Sequence, residues 1–390
     1  MGSCSSNTQV KLEANPINSA EVLPGVNQLE QYKEYLSGKS IALVVNHTSL
    51  TNSGAHLVDL LTEMGIPPKL IFAPEHGFRG KEDAGAKIND EIDPITGIPI
   101  VSLYGNKKKP SREDLMNIDL LIFDIQDVGV RFYTYISTLH YVMESIAELD
   151  KEMWVLDRPN PHAHYVDGCV LESRFKSFIG MHPVPVVYGM TIGEYAKMIK
   201  GEKWIDGAKS LKLKVIPIKN WSRTTMYTLP VKPSPNLPNQ LSVMLYPSLC
   251  FFEGTDISVG RGTNLQFQQI GHPAFKGLYN HAFTPVPNEG ASNPLHNGKT
   301  CYGLDFSSFD ARSVFDSSAL DLSPLIEMLK ASKKAGVSFF LKNDFFDKLA
   351  GADKLREQLS ARLSEREIRA SWQQELERFR QIRQRYLMYK

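Results

Sequence analysis

"IDLLIFDIQD" (residues 118–127) runs apolar from Ile118 through Phe123, with Asp119 the sole interruption, and then delivers Asp124, Gln126 and Asp127 together. A strand that shows water one face alternates apolar and polar residues. This one does not alternate, so it reads as a strand buried on both faces, the kind found in parallel sheets covered by helices. Similar runs flank it: "SIALVVN" (40–46), "KLIFAP" (69–74) and "IPIVSLYG" (98–105) before, "EMWVLDRPNP" (152–161) and "LKLKVIPI" (211–218) after. Helical patterns lie between them. "AHLVDLLTEMG" (55–65) puts Leu57, Leu60, Leu61 and Met64 on one face and stops at Gly65. "YISTLHYVMESIAELD" (135–150) does the same with Ile136, Leu139, Met143 and Ile146, and "TIGE" (191–194) reads as a capping box opening another helix. The fold class is therefore α/β, a parallel sheet with helices on both faces.

The segment "LPVKPSPNLPNQ" (229–240) carries Pro230, Pro233, Pro235 and Pro238. Prolines at this density hold the chain extended and forbid helix, so the domain boundary is expected just after it. The expected division is a flexible arm at 1–24, the sheet domain at 25–242 and a smaller α+β domain at 243–390. In the latter, 271–303 is rich in Gly, Pro and Asn, and "SERE" (364–367) starts a helix with Trp372, Leu376, Phe379 and Ile382 near one face. The arginines of that helix alternate with glutamates and read as a solvated face.

Composition narrows the function. The 390 residues are 42% hydrophobic and 22% charged, with net charge +1. That balance gives no basic surplus for nucleic acid, and no apolar run of membrane-spanning length occurs. No GxGxxG follows the first strand and no GxxxxGK[ST] occurs, so no nucleotide cofactor is expected; "SVGRGTN" (258–264) offers a lone GxG only. No GxSxG elbow occurs. His162 and His164 form an HxH near Asp167, but no third ligand is nominated and no metal is expected. Cys169, Cys250 and Cys301 lack close spacing and read as core residues. The start, "MGSCSSNTQV", suits an exported protein whose leader has been removed, with Cys4 as a candidate lipid-anchor site; the competing reading is a cloning remnant ahead of a polar arm. The sequence assigns no oligomeric state.

In open parallel sheets, ligands bind beyond the carboxyl ends of the strands. Those ends carry Asn46 and His47; Glu75 and His76; Tyr104; Asp124, Gln126 and Asp127, then Arg131 and Tyr133; Asp157, Arg158 and Asn160. Any one alone suits an ordinary polar loop. Five successive strands ending this way indicate a site.

"APEHGFRG", "DIQDVGVRFYTYISTL", "LDRPNP", "KPSPNLP", "YPSLCFFEGTDISVGRGT" and "QQIGHPAF", in this order, resemble the DUF1343 family of exo-β-N-acetylmuramidases of the NamZ type, over about residues 25–390. The resemblance implies a Rossmann-like first domain, a smaller second domain and an active site in the cleft between them. It implies release of N-acetylmuramic acid from the non-reducing end of peptidoglycan fragments such as MurNAc-GlcNAc, hence a periplasmic or surface location. It also makes Glu75 the catalytic acid. The residues agree: glycoside hydrolysis needs a carboxylic acid at the leaving oxygen, and Pro74 and Phe78 offer Glu75 an apolar wall. The competing role is a rim ion pair with Arg79. His76 would position Glu75 or a sugar hydroxyl. The lactyl carboxylate of muramic acid calls for an arginine fork. Arg131, Arg158 and Arg261 are candidates, with Arg131 preferred because Tyr133 and Tyr135 beside it suit a sugar ring. Asp127, Asp157 and Glu253 are candidates for a second carboxylate, with the sugar's acetamido group as an alternative nucleophile. Asn46, Asn160 and Asn236 complete the expected substrate-binding set. Val259, Asn264, Leu265 and Gln266 depart from the family's usual residues and bear on subsite preference. The second functional reading is a cleft that binds muropeptides or glycans without cleaving them and has no need of Glu75.

Overall fold

The computed structural model describes residues 21–75, 77–78, 91–105 and 107–390; Cys4, His76 and Arg79 lie outside them. Seven strands form the main sheet: β1 (Ile41–Val45), β2 (Leu70–Ala73), β3 (Glu91–Ile92), β4 (Pro99–Ser102), β5 (Leu120–Asp124), β6 (Glu152–Leu156) and β7 (Lys212–Ile216). Their spatial order is β3-β4-β2-β1-β5-β6-β7. Neighbours pair parallel except the two-residue edge strand β3, which runs antiparallel to β4. With β3 set aside, the parallel strands follow the doubly wound order 3-2-1-4-5-6, whose switch point lies between β1 and β5.

The absence of alternation in the strands has a direct cause. Ile41, Leu43 and Val45 enter one apolar layer, together with Leu36 of α1 (Lys33–Leu36) and Leu57 and Leu61 of α2 (Leu57–Glu63). Ala42 and Val44 enter the opposite layer, with Leu115 of α3 (Arg112–Leu115), Leu139, Met143 and Ile146 of α4 (Tyr135–Glu148), and Met198 and Ile199 of α5 (Ile192–Gly201). The capping box at the start of α5 is present, with Thr191 and Glu194 satisfying each other's backbone N–H groups.

The proline-rich segment leads into α6 (Gln240–Leu249), capped by Asn239. The expected boundary at 242/243 falls in the first turn of this buried helix. Leu241 to Leu249 join the same core as the sheet, so packing is continuous across it. Beyond α6, β8 (Gln269–His272), β9 (His281–Phe283) and β10 (Cys301–Asp305) make an antiparallel sheet in the order β8-β10-β9. Helices α7 (Ala311–Ser317), α8 (Ser323–Ala335), α9 (Phe345–Ala350) and α10 (Lys354–Ser360) follow. The expected helix after "SERE" is two, α11 (Glu365–Ala370) and α12 (Gln373–Gln384), because the chain turns at Ser371–Trp372 and seats Trp372 in the core.

The chain then returns to the first domain. Arg383 donates to Gly189 O, the Met388 amide to Glu194 and the Tyr389 hydroxyl to Asp157 Oδ2 at 2.5 Å.

Candidate active site

Three strand ends converge beside the switch point. Glu75 follows β2, Asn46 follows β1, and Thr134 and Tyr135 stand where the loop after β5 enters α4. The Thr134 hydroxyl donates to Glu75 Oε2 at 2.6 Å, and Asn46 Nδ2 donates to the Tyr135 hydroxyl at 2.8 Å. Burial, and next the negative field of Glu75, push the pKa of Tyr135 up, so its hydroxyl keeps its proton.

Glu75 borders a cavity of about 510 Å³ between the two domains. Tyr104, Phe132, Tyr133 and Tyr135 line it from the sheet domain, and Tyr246, Phe267 and Phe345 from the other side. Ser234 and Asn236 of the proline-rich segment form a third wall. That wall is pinned: the Tyr133 hydroxyl donates to Pro233 O at 2.8 Å, and Asn236 Nδ2 to Gly290 O at 2.7 Å. Across the cavity, Arg261 Nη2 meets Glu253 Oε1 at 2.5 Å. Aromatic walls with a few polar groups and a carboxyl at the edge form a site suited to a sugar ring.

Of the residues expected from sequence, Glu75, Tyr133, Asn236, Glu253 and Arg261 line this cavity, and Asn46 stands behind Tyr135. The others are placed elsewhere. Arg131 is fully buried and donates to Cys169 O at 2.8 Å, Val184 O at 2.7 Å and Leu349 O at 3.0 Å. It ties loops of both domains together instead of facing the cleft. Arg158 forks onto Asp124 at 2.6 and 2.8 Å and reaches Leu50 O. Asp157 accepts from the amides of Arg158 and Gly193 and from the hydroxyls of Thr191 and Tyr389. Asp127 accepts from the Gly129 amide and the Tyr188 hydroxyl, and burial raises its pKa to about 6. Asn160 bonds Met190 O and the His162 amide. The reason is common to all five: chain leaving the ends of a buried parallel sheet carries backbone groups with no water to satisfy them, and these side chains do so.

Sequence reading passed over Thr134, Phe132, Tyr246, Phe267 and Phe345. Phe132 and Thr134 stand in "RFYTY" and Tyr246 in "YPSL", inside motifs already marked; Phe345 carries no such mark.

His162 and His164 turn to separate backbone carbonyls, Val128 O and Phe315 O, and line a second cavity of about 640 Å³ beyond α6. Among the described residues one trio, Asp256, His272 and His296, gathers three potential metal-ligating atoms within 4.8 Å of one another. His272 Nδ1 accepts from the Ala274 amide, so its Nε2 carries the proton and donates to Asp256 Oδ2 at 3.2 Å. The trio is a hydrogen-bonded clasp in this form.

Residues 41–241 match the family model "Exo-beta-N-acetylmuramidase NamZ, N-terminal", and residues 244–389 match its C-terminal counterpart. The chain is 38% identical over 377 residues to the peptidoglycan beta-N-acetylmuramidase NamZ of Bacillus subtilis (strain 168), covering 93% of this chain and 89% of that one. Two solved structures of DUF1343 family proteins from Bacteroides fragilis NCTC 9343 superpose with TM-scores of 0.87 and 0.79, at 42% and 28% identity. Each comparison covers 95% of this chain and 99% of the other. With both family models matched in order and nearly the whole fold shared, this chain belongs to the NamZ family of exo-β-N-acetylmuramidases.

Proposed function

We propose that this protein is an exo-acting glycosidase that releases N-acetylmuramic acid from the non-reducing end of peptidoglycan fragments, with Glu75 as the acid. The observation that carries this is the setting of Glu75: a carboxyl at the carboxyl end of β2, one oxygen held by Thr134, at the edge of an aromatic-walled cavity between two domains. Thr134 fixes the carboxyl so that it presents its proton to the bridging oxygen of a sugar stacked on the tyrosines. Action at a chain end is what the two matched family models name. His76, the neighbour of Glu75 in the same motif, positions the acid or a sugar hydroxyl. Asn46 acts through Tyr135. A glycan-binding protein would have no need to hold a carboxyl by its own donor, so the geometry favours the enzyme. A peptidoglycan substrate supports an exported protein, and Cys4 is its candidate lipid-attachment site.

The test is release of p-nitrophenol from a p-nitrophenyl β-N-acetylmuraminide, with the N-acetylglucosaminide as control, by wild type and Glu75→Gln. Turnover of the muraminide that is lost in the variant supports the reading. Binding of muramic acid without turnover of either sugar would replace it with the binding-protein reading. Equal turnover by both proteins would remove Glu75 as the acid.

A further inference from the structure

N-acetylmuramic acid differs from N-acetylglucosamine by one group, a lactyl ether ending in a carboxylate. An enzyme that tells them apart does so chiefly by meeting that charge. Among the described residues lining the cleft, Arg261 is the one cation. Arg131 and Arg158, the other arginines that sequence nominates, are committed to backbone carbonyls and to Asp124 inside the core.

We propose that Arg261, held in orientation by Glu253, reads the lactyl carboxylate and so sets the preference for muramic acid. This rests on the muramidase reading above and adds the residue that selects its substrate.

Three features make Arg261 a prepared receptor. Its backbone is fixed, because Gly260 and Gly262 on either side adopt φ of +76° and +79°. A Cβ on the first would lie 2.6 Å from Leu265 O and on the second 2.7 Å from Val286 O, so neither glycine has a substitute. Its guanidinium is fixed, with Nη2 on Glu253 at 2.5 Å and Cζ 5.5 Å from the ring centroid of Phe267. Its charge is balanced when no substrate is bound, since Glu253 spares the cleft an unpaired cation. A guanidinium offers five N–H donors in one plane, and a carboxylate on one corner leaves another edge for a second carboxylate. The cleft therefore holds one neutral pair that accepts an anion without moving. A neutral hydroxyl in the same place gains far less, and this difference is the selectivity. Glu253 is a positioning residue in this scheme, which leaves it unsuited to be the freely acting second carboxylate.

Titration calorimetry with free N-acetylmuramic acid and with its lactyl amide tests this, because the amide keeps the shape of the group and loses its charge and one acceptor oxygen. Wild type is expected to bind the acid about 10- to 100-fold more tightly than the amide, the range of a charge-assisted pair. Arg261→Gln is expected to bind acid and amide alike, at the wild-type affinity for the amide. Arg261→Lys, which keeps the charge and loses the fork, is expected between them, and it serves if the glutamine variant does not fold. Equal affinity of wild type for acid and amide would overturn the proposal without any variant, as would Arg261→Gln keeping the preference. The two levels of argument fail differently. Wild type that cleaves the muraminide selectively yet ignores the charge in this titration refutes Arg261 alone. Wild type that cleaves neither muraminide nor control refutes the activity itself.

Discussion

Arg131 is where sequence and structure part most sharply, and replacing it with methionine tells them apart. Methionine fills much of the same length but donates nothing. Cys169 O and Leu349 O lose the donors they had at 2.8 and 3.0 Å, whereas Val184 O keeps the Leu171 amide at 3.1 Å. A buried carbonyl left unsatisfied costs about 1–3 kcal/mol. Against this, the variant no longer buries a cation. Burial has lowered the Arg131 pKa from 12.5 to about 10, which corresponds to about 3 kcal/mol recovered. The balance is a loss of up to about 3 kcal/mol. At about 2.1 cal/mol/K of unfolding entropy per residue, that is a drop in Tm of up to about 4 °C for a chain of this length. Scanning calorimetry reads the drop, and Michaelis kinetics on the muraminide at 25 °C are expected to give a KM within about twofold of wild type, because Arg131 faces no cavity lined by Glu75. A KM raised tenfold or more with Tm unchanged would put Arg131 on the substrate and refute its structural role.

Three further outcomes follow from the geometry. Thr134→Val removes the donor to Glu75 Oε2 and should lower kcat by about tenfold with little change in KM, because the acid is left less well aimed; equal losses of kcat with and without the hydroxyl partner, judged against Thr134→Ser, would contradict this. Tyr389→Phe deletes the bond to Asp157 and the acceptor of the Ile218 amide, and urea unfolding should show a loss of about 1.5–3 kcal/mol with activity at 25 °C retained. His162 is buried and neutral, its pKa lowered by burial from 6.5 to about 4. Below pH 6.5 the unfolded chain gains a proton that the folded chain refuses, so stability falls as pH drops from 6.5 towards 4, by up to about 3 kcal/mol. His140 and His182, also lowered by burial, contribute to the same limb, so His162→Gln should lessen its slope in a Tm-against-pH curve, and an unchanged slope would rule His162 out as one of its sources.

The sheet was legible because a strand buried on both faces has no polar residues to spare: Leu120 to Phe123 and Ile41 to Val45 announce it in one dimension. Caps were legible for the same local reason, as Thr191 with Glu194 and Ser364 with Glu367 lie three residues apart. The site was half legible. A polar residue after a strand looks the same whether it meets ligand or satisfies a turn, so Glu75 and Asp157 could not be ranked by position. Which of them faces the cleft depends on what packs over each strand end. Over Asp157 it is Tyr389, 232 residues away. Glu253 and Arg261 meet across a loop whose path is set by two left-handed glycines, and no periodicity encodes that contact.

The return of the chain to the first domain brings its two described ends together. Leu23 exchanges both backbone hydrogen bonds with Lys219, and the neighbouring Ile218 amide donates to Tyr389. Val22 and Tyr389 pack on the same small cluster of Ala163, Ile218 and Trp221. The fold is thus almost a closed ring, interrupted at one spot on its surface. A short linker from Lys390 to Glu21 would complete the ring, and new ends could be opened in the exposed turn at 209–210, well away in sequence from Glu75 and Arg261. Such a permuted chain would keep every contact of the cleft while moving the points at which a partner, a tag or a surface can be attached.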